Sequence, residues 1–317
     1  MLIGLITFVT QKNKVLVDAE NKPIGMPKDK FGILQIAMVL GSIGLIFFLM
    51  NFKTMFNSDL DVIGYLIYGA MIVMPLIVLT DKSLTKDEKD RIIVIFILAF
   101  FVIFFWGAFE QAGASLTIFA DRQTDRNLFG WEMPASYFQS VNALAILLLA
   151  PLFSSFWLRL GNRGKEPSSP KKMGYGLALI SLGYAVIAYA VYGLGMMDKV
   201  SMFWLIGLYV IHTMGELCLS PIGLSMVSKL SPVRFSSLLM GTWFLANAAA
   251  NKFAGTLSAL IPGGGENGDS PKTTSFMGFE ISNLFDFFIV FVIMCGIAAV
   301  ILFAISRWLE NKMHGIK

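Results

Sequence analysis

Four stretches of this sequence place ionisable or amide side chains inside apolar runs. In SMFWLIGLYVIHTMGELCLSPIGLSMVSKLSP, Glu216 stands near the middle, with His212, Thr213, Ser220 and Gly223 at −4, −3, +4 and +7. Those offsets draw one polar stripe along one helix face. Pro221 deletes a backbone hydrogen bond and predicts a kink just below Glu216. In IIVIFILAFFVIFFWGAFEQAGASLTIFADRQTDR, Glu110 and Gln111 end a long apolar run, and helical spacing brings Gly107, Ala114 and Thr117 near Glu110. In ASYFQSVNALAILLLAPLF, Gln139 and Asn142 share a face. In SSLLMGTWFLANAAANKFAGTLSAL, Trp243, Asn247, Asn251 and Ala254 form a further stripe.

Fixed carboxylates in apolar surroundings select a cationic amine and can also take up protons, so they are functional candidates by default. Amides match the amide groups of a ligand, and an indole gives a flat apolar wall with one donor. Together they suit a polar organic ligand carrying both charges and amides. Plainer readings stay open beside this one. Glu110 near a helix end reaches water, and Glu216 makes a structural interhelical bond in its protonated form. Gln139, Asn142, Asn247 and Asn251 join helices, and His212 packs. Asp121, Arg122, Asp125 and Arg126 read as a solvated cap at a helix end.

The elements that must carry these residues are membrane spans. Of 317 residues, 56% are hydrophobic and 15% charged, against roughly 25% charged in a soluble domain. Mean hydropathy is +0.70. A spanning helix needs about 20 mainly apolar residues. Eight stretches qualify, at 32–51, 60–80, 91–117, 136–158, 173–194, 201–227, 235–261 and 284–307. A ninth piece, 1–9, is too short and resembles the last turns of a helix. The loops 10–31, 81–91, 159–172 and 228–234 and the tail from Arg307 hold 19 of the 25 Lys and Arg residues. Cytoplasmic loops carry that excess, which places both termini in the cytoplasm and the 262–283 insert outside. The segment 1–31, a helix end and a loop, precedes the eight spans.

Other functions find little support. Cys218 and Cys295 lie in apolar runs with no ligand-spaced neighbour, so neither a disulfide framework nor a metal site is expected. The net charge of +4 is spread over loops, with no basic patch for nucleic acid. No HExxH or GxSxG motif is present. Ser220 and His212 lie roughly 12 Å apart along a helix, too far for a nucleophile and its base, so an intramembrane enzyme is not expected.

The runs FFWGAFEQAGASLTIFADRQTDR, YFQSVNALAILLLAPLFS, GELCLSPIGLSMVSKLSP and GTWFLANAAANKFAG resemble, in order and spacing, the proton-dependent oligopeptide transporters of the major facilitator superfamily. The resemblance implies an all-α polytopic fold. GLITFVTQKNK would be the end of the sixth helix, 32–82 the extra hairpin of bacterial members, and 83–317 the C-terminal bundle. It implies that Glu216 engages the peptide amino group, Asn142 its backbone and Trp243 its side chain, with Ser220 and Gln139 contributing. Glu110 and Gln111 would couple protons, with no cofactor. The implied setting is the inner membrane, with lipid, a di- or tripeptide and an N-terminal half as partners. The family's Asn-Pro of the fourth helix is Asn142-Ala143 here, and its Glu/Arg-rich first helix is absent. A non-transporting fragment or membrane subunit is the alternative.

Overall fold

The computed structural model describes residues 61–195, 198–262 and 274–316, together with 37, 40, 41, 44, 45, 47–49, 51, 52 and 55. The expected piece 1–9, the loop 10–31, most of the helix 32–51 and residues 263–273 of the 262–283 loop lie outside the described residues. The chain divides into two compact units, Met1–Ile63 and Gly64–Lys317. The division falls inside the expected hairpin. In the first unit, Phe48 and Phe52 meet edge to face at 5.9 Å between ring centroids.

The second unit is all-helical apart from two-stranded pairs in its loops. Its helices are α1 (Val62–Leu79, whose first two residues fall in the first unit), α2 (Lys86–Phe109), α3 (Ser115–Gln123), α4 (Gln139–Asn162), α5 (Ser169–Val191), α6 (Met202–Leu230), α7 (Ser236–Ser258) and α8 (Leu284–Lys312). Six described stretches are long and apolar enough to cross a membrane: Val62–Leu79, Lys86–Gln123, Ala135–Asn162, Ser169–Val191, Met202–Leu230 and Leu284–Lys312. The span expected at 235–261 appears as α7. Its 23 residues reach about 35 Å, but Asn247, Asn251 and Lys252 make it less apolar than the others.

Packing orders these helices. α5 lies against α8 and α6, α2 against α7 and α8, and α4 against α6. Two glycines set the α5–α6 distance. A Cβ on Gly176 would stand 3.0 Å from the Gly215 carbonyl oxygen, and one on Gly215 would stand 2.9 Å from that of Gly176. Small residues at such a crossing let backbones meet where lipid offers no hydrophobic drive. In the core, Tyr184 stacks on Phe291 at 4.5 Å, and Phe119 meets Phe288 edge-on at 5.3 Å.

The helix ends are tied down by local chemistry. Thr85 and Glu88 form a reciprocal capping box at the start of α2, satisfying two orphan backbone donors. Just before it, the hydroxyl and amide of Ser83 bond Asp81 and hold its carboxyl below its usual range. The Arg234 guanidinium donates to Ser83 Oγ at 2.6 Å. At the same end, Lys312 pairs with Asp90 at 2.5 Å and Lys171 with Glu310 at 2.9 Å, joining α8 to α2 and α5.

Short strand pairs close the opposite loops. Asn127–Leu128 pairs antiparallel with Trp131–Glu132 through Phe129 (φ 53°) and Gly130 (φ 89°), the two positive φ values of a hairpin turn that matches strand twist. Thr124–Asp125 pairs in parallel with Val200–Ser201. At the expected solvated cap Asp121, Arg122 and Asp125 are exposed, and Arg126 adds a knot of bonds. Arg126 donates to the Met133 carbonyl at 2.9 Å and pairs with Asp121 at 3.0 Å and Glu132 at 2.9 Å.

Gly215→Leu should lower thermal stability in detergent by about 1–3 kcal/mol through overpacking. Gly207→Ala, where an added Cβ meets nothing within 4 Å, should not lower it. Equal melting temperatures for the two variants would show that the α5–α6 contact is not tight.

Candidate functional site

The expected single helix 91–117 is broken. α2 ends at Phe109, a 3-10 turn covers Glu110–Gly113, and Ala114 (φ −127°, ψ −104°) links it to α3. The break changes the helical phase, so the expected neighbours of Glu110 part company. Gly107 is buried, and its added Cβ would lie 2.9 Å from the Phe253 ring, while Glu110 stands exposed. Gln111, the next residue, is fully buried. Its amide donates to the carbonyls of Gly107 (3.1 Å) and, on α7, Ala254 (3.0 Å), and accepts from Ser115 Oγ at 2.6 Å.

α4 brings the amides in. Its leucines, among them Leu144, Leu147, Leu148 and Leu152, remain uncovered, and its packing face is Phe138, Asn142 and Ala145. One amide group of Asn142 donates both to Glu216 Oε2 at 2.9 Å and to Thr213 Oγ1 at 3.0 Å. Thr213 in turn donates to the Tyr209 carbonyl at 2.8 Å. Gln139, exposed at the start of α4, donates to Thr117 Oγ1 at 3.1 Å. Glu216 is half-buried and close enough to Glu110 for the two carboxyls to act on each other electrostatically.

α6 stays helical through Pro221. Ser220 lies half-buried one turn beyond Glu216. Trp243 is 4% exposed. Its ring fills the space that Gly223 leaves open, and a Cβ there would come 2.4 Å from Trp243 Cζ2. Asn247 is half-buried, its Oδ1 enclosed without a partner among the described residues. His212 packs between Tyr184 (4.8 Å) and Phe109 (6.3 Å), over the bare Cα of Gly183. Sequence reasoning passed over Tyr184 and Tyr209. Each was one tyrosine in an apolar run, with nothing to mark the carbonyl it bonds.

Among the described residues, Asn142 and Glu216 are half-buried and Glu110 and Gln139 exposed, so that this side of the bundle is left uncovered. Two concavities, of about 590 and 870 Å³, lie at its two ends, and none of these four residues lines them. Among the described residues no group of three or more His, Cys, Asp or Glu could hold a metal. Such a face can bind an ammonium group and amide carbonyls, and it can exchange protons.

The model of the POT family (PTR2) matches residues 1–269. The chain belongs to the POT family. Among POT relatives, the peptide transporter YePEPT of Yersinia enterocolitica is 40% identical over 185 residues, which are 56% of this chain and 35% of that one. A di-/tripeptide transporter of Lactococcus lactis subsp. cremoris is 30% identical over 238 residues, 72% of this chain and 46% of its own. A peptide transporter POT crystallised with alafosfalin superposes with a TM-score of 0.77 at 27% identity, over 99% of this chain and 60% of the other. The POT fold is therefore shown as an all-α polytopic membrane protein of the major facilitator type, and this chain spans about half the length of the relatives it matches.

Gly223→Ala should cost stability only while the indole is present. In a double-mutant cycle with Trp243→Ala, read by thermal melting, the coupling should be about 1 kcal/mol or more. Additive effects would mean that the indole does not rest on Gly223.

Proposed function

We propose that this chain supplies the C-terminal half of a proton-coupled di-/tripeptide symporter. The observation that carries the proposal is the Asn142–Glu216 hydrogen bond of 2.9 Å on the uncovered side that Glu110 shares. An incoming peptide ammonium takes the Glu216 carboxylate, and the freed Asn142 amide turns to the peptide backbone. Ser220 and Gln139 add polar contacts, and Trp243 bounds the side-chain pocket through the sliver of indole left open. Glu110 carries the coupling proton, and Gln111 serves it by fixing the turn beneath. No organic cofactor or metal takes part, and no chemical bond of the peptide changes, so the chain is no enzyme.

The peptide's own carboxylate needs a cation, assigned here to an N-terminal half. Alternating access also needs two bundles rocking about a midplane site. Coverage of 35% to 60% of the relatives' lengths supports that arrangement. The bundle then lies in the cytoplasmic membrane with both termini inside, as the distribution of Lys and Arg favours. The same partial coverage leaves a second reading, a membrane subunit without transport of its own.

The test uses the two halves together in proteoliposomes. Glu216→Gln should raise the KM for dialanine about ten-fold, the loss of one charge-assisted hydrogen bond, and should leave N-acetylated peptides unaffected. Equal discrimination between free and blocked peptides in wild type and variant would remove Glu216 from the site. Glu110→Gln should abolish acid-driven accumulation while counterflow persists; retained acid stimulation would refute the coupling role.

A further inference from the structure

A broken helix inside a bundle leaves carbonyls without helical partners. In apolar surroundings each costs about 1–3 kcal/mol unless another donor arrives. Around the 3-10 turn Glu110–Gly113, donors arrive from side chains on every flank. Tyr184 on α5 donates to the Ala108 carbonyl at 2.7 Å. Tyr209 on α6 donates to that of Ala112 at 3.4 Å, and Thr117 to the same oxygen at 2.7 Å. Gln111 covers Gly107 and reaches across to Ala254 on α7. The break is therefore a built feature, braced by three neighbouring helices.

Tyr184 is bound most directly to the functional residue. The Ala108 carbonyl that accepts its hydroxyl also accepts the backbone N–H of Glu110. The tyrosine ring is fully buried and clamped by Phe291 at 4.5 Å and His212 at 4.8 Å, so packing fixes where the hydroxyl points. A 3-10 segment turns about 20° more per residue than an α-helix, so four residues accumulate about 80°. That rotation shifts the phase of α3 relative to α2, and it is lost if the turn relaxes to α-helix.

We infer that Tyr184 is a positioning residue for proton coupling, acting through the Ala108 carbonyl to hold Glu110 on the uncovered side of the bundle. The inference rests on the coupling role proposed for Glu110.

Tyr184→Phe keeps the ring and removes only the donor. In reconstituted protein with both halves, dialanine counterflow should stay within about two-fold, while gradient-driven uptake falls about five-fold or more and its pH profile moves by about half a unit or more. A purely structural role would lower counterflow and driven uptake together, and that parallel loss, or an unmoved profile, overturns the inference. A second readout needs no transport: the infrared titration of the Glu110 carboxyl in the purified protein, its band assigned with Glu110→Gln. Its midpoint should differ between wild type and Tyr184→Phe by about half a unit or more, and coincident titrations overturn the inference even if transport itself proves to be wrongly assigned. Should Tyr184→Phe fail to fold, 3-fluorotyrosine incorporated at position 184, which keeps the ring and alters only the donor strength of its hydroxyl, is held to the same two readouts.

Discussion

In hydrocarbon, a backbone carbonyl released from its helix must find a donor within the protein. The whole candidate site is organised around one place where this happens, the turn between α2 and α3. At this turn Glu110 is exposed, while Gln111, the next residue, is buried in the core. Because the freed carbonyls need donors, Tyr184, Tyr209 and Gln111 bind α5, α6 and α7 to this turn. The carboxyl that could carry a proton is thereby fixed relative to the carboxyl that could bind an amine.

α4 shows the same economy of polar groups. It leaves its leucines exposed on one face and joins the bundle on another through Gln139 and Asn142, bonded to Thr117 and Glu216. These bonds are structural glue in the absence of ligand, yet they lie on the uncovered side, where a ligand can compete for them. The bonds that pack α4 use the same atoms that the proposed binding would use, which explains why neither reading of these amides could be discarded from the sequence.

The lengths of the apolar runs and the −4, −3 and +4 spacing around Glu216 were enough to read the spans and the polar stripe. They work because period and length are local properties of an α-helix. The break at Glu110–Gly113 was not legible, since the sequence there, EQAG, holds no proline and its partners lie on helices far along the chain. The Arg126 knot was missed for a similar reason: its acceptor Met133 is brought near by a hairpin turn at Phe129–Gly130. The burial of Trp243 depends on Gly223 of another helix, a tertiary fit that no spacing encodes.

The proposed function makes the side that carries Glu110 and Glu216, in a chain of the POT family that spans 60% of a structural relative, one half of a cavity. The most direct test is proton-gradient-driven uptake of labelled dialanine into proteoliposomes, with this chain alone and with an N-terminal half supplied. The account predicts uptake only when both are present. Uptake by this chain alone, or none with both halves folded in the membrane, would contradict it.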